Sequence, residues 1–243
     1  MPEIKRAVQT GQAPIGERLL SAHENENALF GFDALPFIAS SFDASDALYE
    51  AVEPALRDLL ASQNMVLIYS AQWGPQGLYT KKEIDSAADL QGIKFRAYNT
   101  ATARIAELAG MVPVQIEAAE LSQALATGVA ESFISSGTTG VDSKVWESLT
   151  HWYDVQAWIP RNAVIANKDA FNSLPQEQQD VIMTCGAETA EKGKTVARDL
   201  ADDLVEELRS HGMVVEPPSD QLRADLEGYG AVMVEEWLER AGD

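Results

Sequence analysis

The sequence has little cysteine, little positive charge and no long apolar run, and each shortage excludes a class of protein. A single cysteine, Cys185, rules out an internal disulfide and a cysteine metal cluster, and its helical surroundings predict a small buried residue. No run of about 18 apolar residues is present, so the sequence encodes no transmembrane helix. The opening MPEIKRAVQTG lacks the apolar segment of a signal peptide. We therefore expect a globular protein without direct membrane insertion.

Positive charge is scarce throughout the chain. Lys and Arg number 18 against 38 Asp and Glu, which gives a formal net charge of −20 and an isoelectric point near 4.4. Phosphate contacts need clustered Lys and Arg, so we expect no binding to nucleic acid or to an anionic membrane surface. In so acidic a chain, an anionic ligand is held only where a few cations are placed for it.

Recognisable catalytic motifs are also lacking. His23, His151 and His211 do not have metal-ligand spacing, and neither a nucleophile elbow, a P-loop nor a dinucleotide fingerprint occurs. Acidic pairs such as Asp202 and Asp203 are typical of the solvated face of a helix. The sequence predicts no catalytic residue, no metal site and no cofactor.

The pattern that is present is one of alternating strands and helices. With 243 residues and 46% apolar content, the chain can bury a substantial core, as one large domain or as two lobes. Asp46 is predicted to cap a helix over 47–63, and the apolar run MVLIYS over 65–70 is typical of a covered strand. Two strand–helix units follow in succession after residue 92, which indicates an α/β protein.

A very long helix is predicted near the C-terminus. Ser173 and Gln176 suit a capping box around Pro175, and helix-forming sequence continues from there to Gly212. Roughly 35 residues at about 1.5 Å each span about 50 Å, more than the width of one lobe, so this helix is expected to cross two lobes. A strand over 213–216 and a final helix over 220–241 complete the chain.

The strongest single site prediction is Arg96. The segment DLQGIKFRAYNT predicts a strand over 93–97 that delivers the guanidinium to a strand–helix junction, where Asn99 can cap the next helix. A bidentate guanidinium beside the free N–H groups of a helix start forms a good seat for an anion. The alternative is an internal salt bridge with one of the many acidic residues.

Three segments together resemble a known family. They are EIKRAVQTGQAPIGE, DLQGIKFRAYNT and LAGMVPVQIEAAELSQALATGVAES, and with the long helix they are similar to the DctP-type solute receptors of TRAP transporters, over nearly the whole chain from Ile4. The resemblance implies a two-lobed α/β fold like periplasmic binding proteins of type II, with the long helix spanning both lobes. It implies a first lobe of 1–77 plus 161–212, a second lobe of 78–160 plus 213–243, and a ligand cleft between them.

The function implied by the resemblance is capture of a small organic carboxylate in the cleft, for delivery to the membrane permease subunits of a TRAP transporter. A periplasmic location is implied in the same way. Two alternatives stay open. Family members begin with a β-α-β segment that this chain lacks, so it can instead be a truncated, non-binding remnant with an exposed strand edge and marginal stability. The second alternative is an enzyme on the same fold.

The resemblance also implies a set of ligand-binding residues. Arg96 matches the arginine that grips the ligand carboxylate, Asn99 matches a position that hydrogen-bonds the ligand, and Gln76 falls where sialic-acid receptors place a second arginine. Asn99 can equally be a plain helix cap, and the aromatic residues can equally be core. The remaining members of the set are Ser135, Ser136, Trp73, Phe133, Trp158, Asn162, His23 and Glu24.

Overall fold

The computed structural model describes residues 3–242, which fold into strands and helices around two separate β-sheets. The strands are β1 (Ile15–Leu19), β2 (Met65–Gln72), β3 (Gly77–Thr80), β4 (Lys94–Ala97), β5 (Val112–Gln115), β6 (Ser132–Ser135), β7 (His151–Tyr153), β8 (Arg161–Asn167) and β9 (Val214–Glu216). The α-helices are α1 (Glu3–Gln9), α2 (Phe42–Ser62), α3 (Thr100–Leu108), α4 (Leu121–Ala126), α5 (Gly137–Asp142), α6 (Lys168–Asn172), α7 (Gln176–Ser210) and α8 (Asp220–Ala241). The predicted α/β class is confirmed.

The smaller sheet has the strand order β1-β8-β2, and both of its pairings are antiparallel. The register places Asn162 of β8 opposite Leu19 of β1 on one side and Ala71 of β2 on the other. The ends of all three strands therefore meet near Asn162.

The larger sheet has the strand order β5-β4-β6-β3-β7-β9. Strand β4 runs parallel to both of its neighbours, with Arg96 opposite Val114 of β5 and Phe133 of β6. Because parallel strands leave their carboxyl ends on one edge, the residues after β4, β5 and β6 gather together there. That edge faces the smaller sheet across a cavity.

Three segments carry the chain between the sheets; one is α7, and the other two pair with each other. The Trp73 N–H donates to the Pro160 carbonyl at 2.9 Å, and Gln76 exchanges backbone hydrogen bonds with segment 157–158 at 3.0 and 3.1 Å. The Asp33 carboxylate accepts from the Arg161 N–H at 2.7 Å, beside this crossing. The sheets are thus joined by a short antiparallel ribbon over 73–76 and 157–160.

Helix α7 has 35 residues and lies against both sheets, as the sequence predicts for the long helix. Gly186 packs on β2 so closely that an added Cβ would come within 2.9 Å of the Ile68 side chain. Further along, Val205 and Leu208 pack with the aromatic core of the larger sheet. Because Gly186 has no side chain, the helix can approach the backbone of β2 closely. Among residues 3–242, no helix is both long and apolar enough to cross a bilayer.

Three local predictions were wrong. Helix α2 starts at Phe42, capped by the Ser41 side chain, so Asp46 lies inside its first turns instead of capping it. Helix α7 is preceded by Pro175 without a side-chain cap, because Ser173 donates to the Ala170 carbonyl at the end of the separate helix α6. Cys185 is exposed, since α7 turns its neighbour Gly186 toward β2.

Candidate functional site

A cavity of about 220 Å³ lies between the two sheets. The smaller sheet and the residue after β2 contribute four polar or aromatic side chains, which are Glu17, Arg18, Trp73 and Asn162. The larger sheet and the segments next to its strands contribute seven, which are Gln76, Arg96, Tyr98, Glu117, Ser135, Ser136 and Thr139. Both sheets therefore supply functional groups to one cavity.

Arg96 is the buried cation of this cavity, with 4% of its surface exposed. Its Nε donates to the Ile116 carbonyl at 2.9 Å, and its guanidinium lies 4.8 Å from the centre of the Tyr98 ring. Among the described residues, its terminal nitrogens donate no hydrogen bond and meet no carboxylate within ion-pair distance. One edge of the guanidinium is thus fixed to backbone while the other stays available for an anion.

The electrostatics of Arg96 favour an anionic ligand. Burial lowers the pKa of its guanidinium, and the nearby Tyr98 and Glu117 act in the opposite direction. An arginine nevertheless keeps its proton in a protein. A buried charge without a counter-ion is costly, so a carboxylate in the cavity removes an unfavourable term as well as adding hydrogen bonds.

Gln76 is held by a chain of hydrogen bonds that runs back from the cavity. Its Nε2 donates to the Gly74 carbonyl at 2.9 Å, and its Oε1 accepts from the Tyr98 hydroxyl at 3.3 Å. The Trp158 indole in turn donates to the Tyr98 hydroxyl at 3.2 Å. Trp158 therefore lies behind the cavity and positions two residues that line it, although the family resemblance suggested it as a ligand-binding residue.

Ser135 and Ser136 reach the cavity because β6 ends there. Ser135 is the last strand residue, opposite Gly77, and the Ser136 side chain accepts from the Thr139 N–H at the start of α5. Gly77 is required at this point, because an added Cβ would come within 2.4 Å of the Trp152 indole. The two serines thus present hydroxyls beside Arg96 on a closely packed strand end.

Trp73, Asn162 and Glu17 form a continuous hydrogen-bonded row on the other side. The Trp73 Nε1 donates to the Asn162 Oδ1 at 2.9 Å, and the Asn162 Nδ2 donates to the Glu17 Oε1 at 2.8 Å. We call this row the partition. It joins side chains from β1, the end of β2 and β8.

The structure therefore brings together six of the predicted site residues, namely Arg96, Gln76, Ser135, Ser136, Trp73 and Asn162. Asn99 does not line the cavity. It caps α3 through the Thr102 N–H at 2.9 Å and donates to the Ser21 hydroxyl at 3.0 Å, so its side chain is fully engaged elsewhere.

Phe133, His23 and Glu24 also lie outside the cavity. Phe133 stacks on Tyr79 in the core with ring centres 4.4 Å apart. It is two residues before Ser135, which places it roughly 7 Å deeper along the strand. His23 is paired with Glu26 at 2.7 Å, and Glu24 with Arg240 of α8. The first contact lies within the loop after β1, and the second attaches that loop to α8.

Sequence reasoning missed Arg18, Glu117, Glu17 and Tyr98. Arg18 of β1 and Glu117, just after β5, lie 3.8 Å apart and connect the two sheets. The argument that selected Arg96, a cation in a strand of a very acidic chain, applies equally to Arg18. Glu117 could have been predicted from the sheet topology, because β5 is parallel to β4 and the ends of both strands lie on one edge of the sheet.

The comparisons with known proteins agree with this geometry. The family model of bacterial extracellular solute-binding proteins, family 7, called DctP, matches residues 2–240. A marine-metagenome TRAP solute-binding protein crystallised with co-purified pyroglutamate is 51% identical, with a TM-score of 0.98, over 99% of this chain and 79% of that one. A Bordetella pertussis extracytoplasmic solute receptor that binds pyroglutamic acid is 44% identical, with a TM-score of 0.97, over 99% and 80%.

Curated relatives are more distant. A solute-binding protein of Albidiferax ferrireducens is 28% identical over 137 residues, which are 55% of this chain and 40% of the relative. The matched region thus spans less than half of that relative's length. The family match over nearly the whole chain shows that this protein belongs to the DctP family of bacterial extracellular solute-binding proteins.

Proposed function

We propose that this chain is the solute receptor of a TRAP transporter and captures a small organic carboxylate between its two sheets. The observation that carries this proposal is Arg96, a buried guanidinium that lines a cavity built by both sheets. A carboxylate meets a guanidinium through two parallel hydrogen bonds, the strongest geometry available to this pair. Ser135 and Ser136 add hydroxyls for the rest of the ligand.

We further infer that the ligand is pyroglutamate. The two solved structures at 51% and 44% identity both concern proteins that bind it. A cavity of about 220 Å³ is smaller than the roughly 300–1,000 Å³ of drug-sized ligand pockets, which favours a compact acid. The lactam ring needs one acceptor for its N–H and one donor for its carbonyl. The amides and hydroxyls of Gln76, Ser135 and Ser136 provide both kinds of group.

In this proposal the two sheets belong to two lobes, 1–77 plus 161–212 and 78–160 plus 213–243. The lobes close on the ligand by bending at the ribbon over 73–76 and 157–160. Delivery to membrane permease subunits and a periplasmic location come from the family. Binding and release complete the function, and no covalent step takes part.

The test is isothermal titration calorimetry with L-pyroglutamate, D-pyroglutamate, glutamate and succinate. We expect one saturable site with a preference for L-pyroglutamate, and we expect Arg96→Ala to weaken it by at least about 2 kcal/mol, roughly thirtyfold. Arg104→Ala is the matched control, because Arg104 pairs with Glu107 and Glu236 on the surface.

Each other outcome has a distinct meaning. Unchanged affinity in Arg96→Ala contradicts the site assignment. A folded protein that binds none of these acids favours the non-binding remnant, and a chemical change in a bound acid favours an enzyme. A thermal-shift assay provides an independent check, since saturation at a hundredfold excess over the Kd stabilises the folded state by about 2.7 kcal/mol.

A further inference from the structure

A second cavity of about 560 Å³ lies next to the first. Helix α7 bounds it through a stretch that includes the apolar residues Val196, Leu200 and Val205. The first turn of α5 bounds it at Gly137. Besides Glu17, three carboxylates line it, Asp142, Asp154 and Asp202. The second cavity therefore combines apolar side chains of α7 with carboxylates from α5 (Asp142), from the residue after β7 (Asp154) and from α7 itself (Asp202).

The two cavities share three lining residues, and these are the members of the partition. Trp73, Asn162 and Glu17 face the first cavity on one side and the second on the other. The row is ordered chemically, because an indole can only donate and a carboxylate can only accept. The Asn162 amide is thus held in one orientation, with its oxygen toward Trp73 and its nitrogen toward Glu17.

The partition is also anchored from behind. Gln72 and Arg161, the residues directly before Trp73 and Asn162, both donate to Asp46, at 3.0 and 2.6 Å. Asp46 in turn accepts from Lys194 and Arg198 of α7, at 2.7 and 2.8 Å. The wall between the cavities is therefore fastened to the helix that bounds the second one.

We propose that the partition of Trp73, Asn162 and Glu17 limits the length of the ligand, and that removing the Trp73 indole joins the two cavities into one site for extended carboxylates. This rests on the proposed function, with Arg96 holding the carboxylate in both cases. The far end of an extended ligand enters the second cavity. Its chemistry favours an alkyl chain along α7 ending in an ammonium near the carboxylates.

The experiment compares L-pyroglutamate with ω-aminooctanoate on the whole chain and on Trp73→Ala. We expect the wild type to prefer pyroglutamate and the variant to shift the ratio of the two affinities at least about tenfold toward ω-aminooctanoate, since a few methylenes in an apolar pocket are worth that much. Octanoate, which lacks the ammonium, is expected to bind the variant more weakly than ω-aminooctanoate.

Trp146→Ala is the matched control, because Trp146 stacks on His211 and lines neither cavity. It should leave the ratio unchanged. If Trp73→Ala does not fold, Trp73→Leu opens the same wall with less loss of packing. A crystal structure of the variant with ω-aminooctanoate should show the chain passing between Asn162 and α7.

The outcomes separate this inference from the proposed function. A wild-type protein that binds pyroglutamate through Arg96, together with an unchanged ratio in folded Trp73→Ala, overturns the partition alone. A wild-type protein that binds no compact acid overturns both. Equal affinities of the variant for octanoate and ω-aminooctanoate overturn the role given to the three carboxylates.

Discussion

The two sides of the site hold their residues in different ways. On the larger sheet, Arg96 sits in a strand flanked by two parallel neighbours, and its Nε is fixed to the carbonyl of Ile116. On the smaller sheet, Trp73 and Asn162 come at strand ends, and the residues before them bind Asp46, Gln72 through a hydrogen bond and Arg161 through an ion pair. One side is held by backbone register and the other by side-chain charge.

This difference predicts different sensitivities. A guanidinium positioned by its own strand depends on few other side chains, so its geometry should survive many surface changes. A wall positioned through one carboxylate depends on that carboxylate. The comparison therefore predicts that single substitutions disturb the position of the partition more easily than the position of Arg96.

The largest effect is expected from Asp46→Ala, which removes the carboxylate that holds Gln72 and Arg161 on the smaller-sheet side of the site. It leaves Arg161, whose side chain is 7% exposed, as a buried cation without its acceptor, and such losses cost about 3 to 5 kcal/mol. Urea denaturation should show this drop in the free energy of unfolding. Calorimetry should show a weaker preference for compact over extended acids, since the wall loses its anchor.

Glu206→Ala is the control for that experiment. Glu206 pairs with Arg209 on the exposed face of α7, where an ion pair is worth about 1 kcal/mol or less. A similar loss of unfolding free energy in both variants would contradict the role of Asp46 in holding Arg161 and the partition.

A pH-dependent effect is expected from Asp33→Asn at the crossing between the sheets. Burial raises the pKa of the Asp33 carboxyl to about 7, although the Arg161 backbone hydrogen bond opposes this shift. In the unfolded chain this carboxyl has its ordinary pKa of 3.8, so the wild type loses stability as the pH rises from about 4 to about 7. The asparagine variant lacks this loss.

The stability of Asp33→Asn relative to wild type should thus rise by roughly 2 to 4 kcal/mol across that range, because one pKa unit is worth about 1.4 kcal/mol. Denaturation at pH 4 and pH 8 measures it. Asp58→Asn, on the exposed face of α2, should follow the wild type. A pH-independent difference for Asp33→Asn contradicts the burial argument.

The smallest effect is expected from Asn99→Ala, which tests whether Asn99, on the larger-sheet side, only caps α3 or also binds the ligand. Loss of the cap on α3 should cost about 1 kcal/mol of stability, with the affinity for pyroglutamate unchanged. Asn99→Ser, which restores a capping oxygen, should recover most of the stability. Weakened binding in a well-folded Asn99→Ala would return this residue to the ligand site, where the family resemblance places it.

The fold was largely predictable from the chain because its signals are local. The strand that carries Arg96, the long helix and the family segments are all recognised from short-range patterns. Asp46 shows where such signals fail. Ser41 and Asp46 are both good capping residues, and only the cations of Arg161, Lys194 and Arg198, which are distant in sequence, explain why Asp46 lies within the helix.

The site was predictable in part for the same reason. Arg96 stands out in an acidic sequence, whereas Arg18 and Glu117, which pair with each other, are almost a hundred positions apart in the chain. Phe133 shows that closeness in sequence to a site residue is not enough, because Ser135 lines the cavity whereas Phe133, two residues earlier, lies in the core. Which end of a strand faces a ligand is decided by sheet topology.

Helix α7 has a mechanical consequence for any change in the cavity. It packs on β2 at Gly186 and on the larger sheet at Val205, about 19 residues or roughly 28 Å further along. Gly193 lies between these contacts and borders the second cavity without a side chain of its own. In the proposed closure, a helix that packs on both sheets has to follow the angle between them, so we expect opening of the site and bending of α7 to occur together.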